Sequence, residues 1–162
     1  MTAILFLDIA DSTALTTKVG DAAYLKRERE LDVALRKAIS EAGGTAVEGK
    51  VLGDGVMAVF TSARQAIDAA LRCRAAGDEA ELSLHLGIHA GDVVHEGNNV
   101  HGGAVQLASR VQSVAAPGEI LVSDIVRGLA RTSAGVSFED RGEHELKGIA
   151  ERQRLFAVIG PD

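Results

Sequence analysis

Short apolar segments and longer helical repeats alternate along the chain, beginning with the segment from Ala3 to Ile9, which Asp8 alone interrupts. Polar residues bound this segment, which predicts a buried β-strand. From Asp21 to Ala42, apolar residues recur at spacings of three, four and seven, which predicts a long amphipathic helix that stops at Gly43-Gly44. Between these two elements, Asp11-Ser12-Thr13 offers N-cap residue types for a shorter helix that begins at Ala14.

A hairpin and a second long helix are expected next. The stretches Thr45 to Leu52 and Val56 to Phe60 flank Gly53-Asp54-Gly55, which is a typical hairpin turn. A helical repeat then runs from Ser62 to Ala76, and Gly77 is expected to end it.

The remainder of the chain adds further strands and helices. Apolar and polar residues alternate strictly from Leu82 to His89, which predicts a half-buried strand. The order strand, helix, hairpin, helix, strand fits an α+β, ferredoxin-like (split βαβ) sheet with its helices on one face and extra β structure appended. The elements expected after this core are a strand over Asp92–His95 followed by a loop, a helix from about Gly103 to Ala115, a strand over Ile120–Val122, a helix over Asp124–Ala130, and strands near Val136–Glu139, His144–Leu146 and Arg154–Val158.

Composition and charge narrow the class of protein. The 162 residues suit one domain, 1–162, while a longer and even membrane-tethered parent chain is left open. The net charge of −6 argues against nucleic acid as a partner, because binding to a nucleic-acid backbone needs positive stripes. No apolar run exceeds five residues, so no membrane contact is expected. A single cysteine cannot form an internal disulfide, which indicates a cytoplasmic location.

Two aspartates are candidate metal ligands. Asp8 ends the first predicted strand and Asp54 lies in the hairpin turn, and a split-βαβ sheet commonly pairs these two strands. Two carboxylates with help from a backbone carbonyl suit Mg²⁺ or Mn²⁺ that is completed by substrate phosphates. Taken singly, a turn aspartate and a helix-capping aspartate are the simpler interpretations. An ionisable residue at the end of an apolar strand is harder to dismiss.

Other candidates carry weaker signals. The Ser12-Thr13 segment at a strand-to-helix junction could bind a phosphate through backbone N–H groups, although every helix has an N-terminus. Gln106 and Arg110 share one face of a predicted helix, where solvated surface is the simpler interpretation. His85 and His89 lack a third zinc ligand, and Cys73 at helical spacing among alanines is expected to be buried filler.

Five stretches carry a resemblance that extends from about Ala3 to Ile159. They are Phe6 to Thr13, Gly49 to Phe60, Leu86 to Gly91, Ala104 to Val111 and Arg141 to Gly148. In order and spacing they resemble the catalytic domain of the class III nucleotidyl (adenylyl/guanylyl) cyclases, of the bacterial type. One such block would be a weak signal, whereas five in register leave little room for accident.

The resemblance implies an adenylate cyclase that converts ATP to 3′,5′-cyclic AMP and pyrophosphate. It further implies head-to-tail homodimers with two ATP sites at the subunit interface and two Mg²⁺ or Mn²⁺ ions per site. The implied metal ligands are Asp8, Asp54 and the carbonyl of Ile9. The implied substrate contacts are Ser12 and Thr13 on the β- and γ-phosphates, Gly53 in the same site, Lys50 on adenine, and Lys147 reaching the phosphates from the tail of the partner chain.

Two residues on the predicted helix are implied to act in catalysis. Arg110 matches the arginine that stabilises the transition state, because charge grows on the α-phosphoryl oxygens as the ribose 3′-OH attacks. Gln106 stands where most members have an asparagine that orients the ribose. The proton of the 3′-OH could pass to Asp8, to water or to a substrate phosphate, and the sequence does not choose among them.

Several positions depart from the family pattern, among them Asp11 in place of a common glycine, and Asn99 and Gln106 bear directly on the substrate. Counting back from Arg110 places Asn99 at the second adenine-reading position, where Asp or Thr is usual, and a slip of one would place Asn98 there. Either amide can accept from adenine or donate to guanine, which blurs base selection. Gln106 adds a methylene, and a misplacement of that order can lower the rate by about a hundredfold. The alternative is therefore a weakly active or inactive cyclase-like domain for nucleotide binding, regulation or dimerisation. In a guanylate cyclase, Glu would be expected at position 50, so Lys50 argues against guanylate cyclase activity.

Overall fold

Strands and helices alternate through the part of the chain that the computed structural model describes, namely residues 1–10, 12–47, 55–133 and 135–160, with the backbone alone for 12–15. The strands are β1 (Thr2–Ile9), β2 (Thr45–Ala46), β3 (Val56–Phe60), β4 (Leu84–Gly91), β5 (Val94–Glu96), β6 (Asn99–His101), β7 (Ile120–Ser123), β8 (Ser137–His144) and β9 (Gln153–Ile159). The helices are α1 (Ser12–Val19), α2 (Asp21–Glu41), α3 (Ala63–Glu79), α4 (Gly103–Ser113) and α5 (Asp124–Ala130). None of the helices in these ranges has the length and apolar character needed to cross a bilayer.

The main sheet has the strand order β2-β3-β1-β4-β7-β9-β8 within the described residues, and β5 and β6 form a separate hairpin. Strand β1 pairs antiparallel with β3 on one side and with β4 on the other, and β4 pairs parallel with β7. Strands β9 and β8 extend the sheet beyond β7. This arrangement confirms the predicted α+β class, with a split-βαβ core and appended β structure.

Both faces of β1 are buried, which explains its nearly unbroken apolar sequence. Leu5 and Leu7 pack with α2, α3 and α5 on one face, whereas Ile4 packs with Val105 and Ala108 of α4 on the other. The helices α2 and α3 of the predicted core share one face as expected, whereas α4, which follows the core in the chain, covers the other. A strand buried on both sides needs a helix on each, and α4 supplies the second.

Three local predictions also differ from the structure. Gly77 was expected to end α3 but lies inside it. A Cβ at position 77 would come 2.7 Å from the Leu82 carbonyl oxygen, so the glycine permits close packing here. The two strands predicted between 136 and 146 are one strand, β8, whose register shifts between Asp140 and Glu143. Leu146 lies in the turn that follows it, and the predicted loop after β5 contains β6.

Gly87 sets how closely α4 approaches the sheet, so Gly87→Ala is expected to destabilise the fold. A Cβ at position 87 would lie 2.3 Å from the backbone nitrogen of Gln112, and helix and strand backbones yield little. Overpacking of this kind costs about 1–3 kcal/mol. Urea unfolding measures the change, and Gly128→Ala is the control. Gly128 lies in α5, and apart from its own helix backbone and chain neighbours no described heavy atom lies within 4 Å of its added Cβ, so that change should stabilise by about 0.4–1 kcal/mol. Equal stability of the two variants would contradict the close-approach argument.

Candidate active site

Asp8 and Ile9 lie at the carboxyl end of the central strand β1. Asp8 is partly buried and shares a strand face with Ile4, because side chains alternate along a strand, so it lies on the same side of the sheet as α4. Its Oδ1 accepts a hydrogen bond from the backbone N–H of Ile9 at 2.8 Å. Its cross-strand neighbour on β4 is His85. A carboxylate and a backbone carbonyl are thus presented together where the strand ends.

The hairpin that was predicted to carry the second aspartate pairs with β1 as expected. The register places Leu7 opposite Val56, and β2 continues the pairing on the far side of β3. Asp54 precedes Val56 by two positions in the sequence, and Asp54, Gly53 and Lys50 all lie outside the described residues. The strand pairing behind the two-aspartate hypothesis is present, and the positions of these three residues stay predictions.

Helix α1 begins four residues after Asp8. Its first residue is Ser12, two positions earlier than predicted, so the helix starts close to the end of β1. The first N–H groups of a helix lack intrahelical partners and favour an anion. The side chains of Ser12 and Thr13 lie outside the description, so their predicted contact with phosphate stays a prediction.

Helix α4 presents Gln106 and Arg110 away from the core. Its buried residues Val105, Ala108 and Val111 hold one side of the helix against the sheet. Gln106 is exposed and Arg110 is partly buried, one helical turn further on. The Nε of Arg110 is buried and has no hydrogen-bond partner among the described residues. The guanidinium is a permanent cation, so an anionic group bound beside this part of α4 would be stabilised by its charge.

A tight turn brings Lys147 to the same helix. The backbone N–H of Ile149 donates to the carbonyl of Leu146 at 3.0 Å, and Lys147 at the tip is exposed. A Cβ added to Gly148 would lie 2.8 Å from Nε2 of Gln106, so the turn and the glutamine side chain are in close contact. The structure therefore brings together Gln106, Arg110 and the turn that carries Lys147. These residues were predicted from the sequence, but the contact through Gly148 was not, although Leu and Ile on either side of Lys-Gly are a signal for a turn anchored by its flanks.

Ion pairs tie the strand that leads into this turn to the rest of the fold. Arg141 of β8 donates to Glu119 at 3.0 Å and also pairs with Glu139. The other carboxylate oxygen of Glu119 accepts from the backbone N–H of Ala116, in the connection between α4 and β7. The hydrogen bond to Glu119, then that to Glu139, and the negative charges of both carboxylates raise the pKa of Arg141. The β8 strand is thus linked to the end of α4 outside the core as well as through it.

Asn99 lies on β6, four residues before α4 begins. Its side-chain Oδ1 accepts from the backbone N–H of Val100 at 2.8 Å. The carbonyl oxygen of the side chain therefore accepts a local hydrogen bond, and the amide N–H groups are the donors that Asn99 can offer to a ligand.

His85, His89 and Cys73 are held by contacts within the fold. Nδ1 of His85 lies 2.7 Å from the carbonyl oxygen of Ala115, and Nδ1 of His89 lies 2.7 Å from Oγ of Ser123. Burial lowers the pKa of His89 and raises the pKa of Cys73 to about 12, so this thiol is no nucleophile. Within the described ranges, no three His, Cys, Asp or Glu residues cluster as a metal site.

Comparison with known proteins adds two kinds of finding. Residues 1–160 match the family described as the adenylate and guanylate cyclase catalytic domain. The chain is 30% identical over 108 residues to a putative adenylate cyclase 3 of Rhizobium meliloti, covering 62% of this chain and 18% of that protein. It is 34% identical over 114 residues to a pH-sensitive adenylate cyclase of Mycobacterium tuberculosis, covering 67% of this chain and 29% of that protein. The chain thus spans less than a third of the length of either relative.

Solved structures agree on the fold. The adenylyl cyclase CyaB from P. aeruginosa superposes with a TM-score of 0.85 at 22% identity, covering 99% of this chain and 94% of that one. An adenylate/guanylate cyclase/hydrolase from Silicibacter pomeroyi superposes with a TM-score of 0.78 at 32% identity, covering 98% and 96%. The predicted ferredoxin-like core with appended strands is the fold of both.

Proposed function

The chain belongs to the family of adenylate and guanylate cyclase catalytic domains, and from this membership we propose that it cyclises ATP to 3′,5′-cyclic AMP and pyrophosphate in a homodimer. The observation that carries the proposal is the placement of Arg110 beside Gln106 on α4. Its guanidinium is a permanent cation whose buried Nε has no partner in the described part of the chain, on the helix face that the Lys147 turn also borders. A fixed guanidinium is most effective where negative charge develops in a transition state.

The donor set at the end of β1 fits a hard divalent cation. Asp8 offers a carboxylate and Ile9 a backbone carbonyl, and oxygen ligands of this kind suit Mg²⁺ or Mn²⁺. Asp54 of the hairpin is the proposed second carboxylate. Two ions held there would lower the pKa of the ribose 3′-OH and neutralise part of the triphosphate charge.

Each residue of the proposed site has one role in the reaction. The 3′-oxygen of the ribose loses its proton and bonds to the α-phosphorus, while the bond from the α-phosphorus to the bridging oxygen breaks and pyrophosphate leaves. Gln106 orients the ribose so that this attack is in line, and Arg110 stabilises the charge on the α-phosphoryl oxygens. Lys147 binds the phosphates, as do the backbone N–H groups at the start of α1.

The substrate sites are proposed to be shared between two copies of the chain. Gln106 and Lys147 are exposed, so their ligand-facing surface is open to a partner subunit. A two-fold dimer then builds two equivalent sites from the same residues. Each site takes Asp8, Ile9, Asp54, Gly53, Ser12 and Thr13 from one subunit and Lys50, Asn99, Gln106, Arg110 and Lys147 from the other.

A nucleotide-binding regulatory domain without turnover is the second candidate. The residue that favours it is Gln106, because a displacement of the ribose-orienting amide by one methylene can lower the rate by about a hundredfold. Such a domain would bind nucleotide and form dimers but release no pyrophosphate.

The test is an assay of the purified chain with ATP or GTP and Mn²⁺ or Mg²⁺, in which cyclic nucleotide and pyrophosphate are measured.

ATP is expected to be preferred, because Lys50 can donate to N1 of adenine but would face the N1–H donor of guanine. A lost hydrogen bond in a buried pocket costs about 1–3 kcal/mol, so Lys50→Glu should erode or reverse the preference. Binding of ATP without pyrophosphate release would favour the regulatory domain. Equal use of ATP and GTP by the unmutated chain would contradict the role of Lys50.

A further inference from the structure

The turn that carries Lys147 is anchored on both sides by apolar side chains. Leu146 is 4% exposed and packs in a cluster with Val111 of α4 and Leu155 of β9. Ile149, on the other side of the turn, is partly buried against the same cluster. The turn therefore has a fixed position relative to α4, although Lys147 and Gly148 at its tip are exposed.

Gly148 has a conformation and a neighbour that both require glycine. Its φ is +80°, a left-handed value that other residues adopt with strain, as the third residue of a tight turn commonly does. The space that a Cβ would fill is taken by the Gln106 amide, whose Nε2 lies 2.8 Å from that position. The exposed glutamine side chain thus rests against the backbone of a turn that the core holds in place.

We propose that Gly148 is a positioning residue for Gln106, and that this contact accommodates a glutamine where a shorter asparagine is usual. This inference rests on the proposed function, in which the Gln106 amide orients the ribose. Glutamine has one more rotatable bond than asparagine, so its amide needs an additional contact to be held in one place. The turn provides that contact and holds Lys147 and Gln106 in one arrangement.

Substitution of Gly148 by alanine tests the proposal, because the added methyl would displace the far end of a flexible side chain and leave the core untouched. Gly148→Ala is expected to lower kcat by at least about tenfold, with a smaller change in KM, because a misplacement of about 1 Å can cost about a hundredfold. The matched control is Gly142→Ala. Gly142 lies in β8, the strand that leads to the turn, and has a φ of +79°. Apart from its chain neighbours, no heavy atom of the described residues lies within 4 Å of its added Cβ. It carries the same backbone strain without the contact, and its kcat should stay within about twofold of the unmutated value.

A double-mutant cycle with Gln106→Asn separates positioning from general damage. The asparagine amide ends one methylene short of the position that the Gly148→Ala methyl takes. In the Gln106→Asn background, Gly148→Ala should therefore lower kcat by less than about threefold. An equal loss in both backgrounds, or an equal loss in Gly142→Ala, would overturn the proposal.

A second measurement needs neither activity nor a variant. In the unmutated protein, a nuclear Overhauser effect is expected between the side-chain amide protons of Gln106 and the α protons of Gly148. Its absence overturns the contact and with it the inference. An unmutated chain that shows this effect but forms no cyclic nucleotide would refute the proposed function instead, so the two failures are distinguishable.

Discussion

An Asp8→Ala variant is expected to fold and to form no cyclic nucleotide above background. Asp8 is the described carboxylate of the proposed metal site, and its loss would remove a charged ligand from a site that substrate phosphates complete. The folded state loses the hydrogen bond from the Ile9 N–H to Oδ1, which costs about 0.5–1.5 kcal/mol, so thermal unfolding should show a small shift only. Activity is measured with ATP and Mn²⁺ across a range of metal concentrations.

Asp8→Asn and Asp68→Ala make this result specific. In Asp8→Asn the new amide would keep an acceptor for the Ile9 N–H but lose the charge, so this variant should be inactive as well if Asp8 binds metal. Asp68 is an exposed partner of Arg72 at 3.1 Å, and such a surface pair is worth about 0.3–0.5 kcal/mol, so its loss should leave activity unchanged. Near-normal activity of Asp8→Asn would remove Asp8 from the metal site.

Two helices were predicted almost to the residue. Helix α2 was expected from Asp21 to Ala42 and runs over Asp21–Glu41, and α5 has the predicted bounds Asp124–Ala130. These helices have one apolar side and defined ends, which the local sequence alone determines. Gly77 was misassigned because a glycine that ends a helix and a glycine that permits close packing have the same sequence signal. Only the approach of Leu82 distinguishes them.

The side of the sheet that a helix covers could not be obtained from local pattern. The alternation of apolar and polar residues in β4 predicted one solvent-exposed face, yet Gly87 on that face is buried under α4. A glycine reads as neutral in a hydrophobic pattern, while in the structure it marks the place where two backbones meet. The pattern therefore did not indicate that α4 covers this face of the sheet.

The candidate site shows the same division between local and long-range information. The residue types at positions 8, 106, 110 and 147 were assigned by motif. The structure confirms the strand end and the shared helix face, and the turn that carries Lys147 was not predicted. The contact between Gln106 and Gly148 spans 42 positions of sequence and depends on how β8, β9 and α4 pack. A single sequence does not encode such a contact in any periodic pattern.

Mixing two inactive variants should restore activity if the sites are shared between subunits. Asp8→Ala and Arg110→Ala homodimers are each expected to be nearly inactive, because every site lacks either a metal ligand or the guanidinium; losing a single such stabilising group typically costs about 10²–10³ in kcat. In a hybrid dimer, both lesions fall in one site and the other site contains Asp8 and Arg110 from unmutated positions.

The expected recovery has a definite size. After equal mixing and free exchange, about half of the dimers are hybrids, and each has one intact site out of two. The mixture should therefore reach roughly a quarter of the unmutated activity when the sites act independently. Subunits labelled with two fluorophores report whether exchange has occurred, and an equal mixture of Asp8→Ala with Asp8→Asn is the control that should not recover. A site built within one chain allows no recovery, because every chain carries a lesion. Verified exchange without recovered activity would refute the shared site.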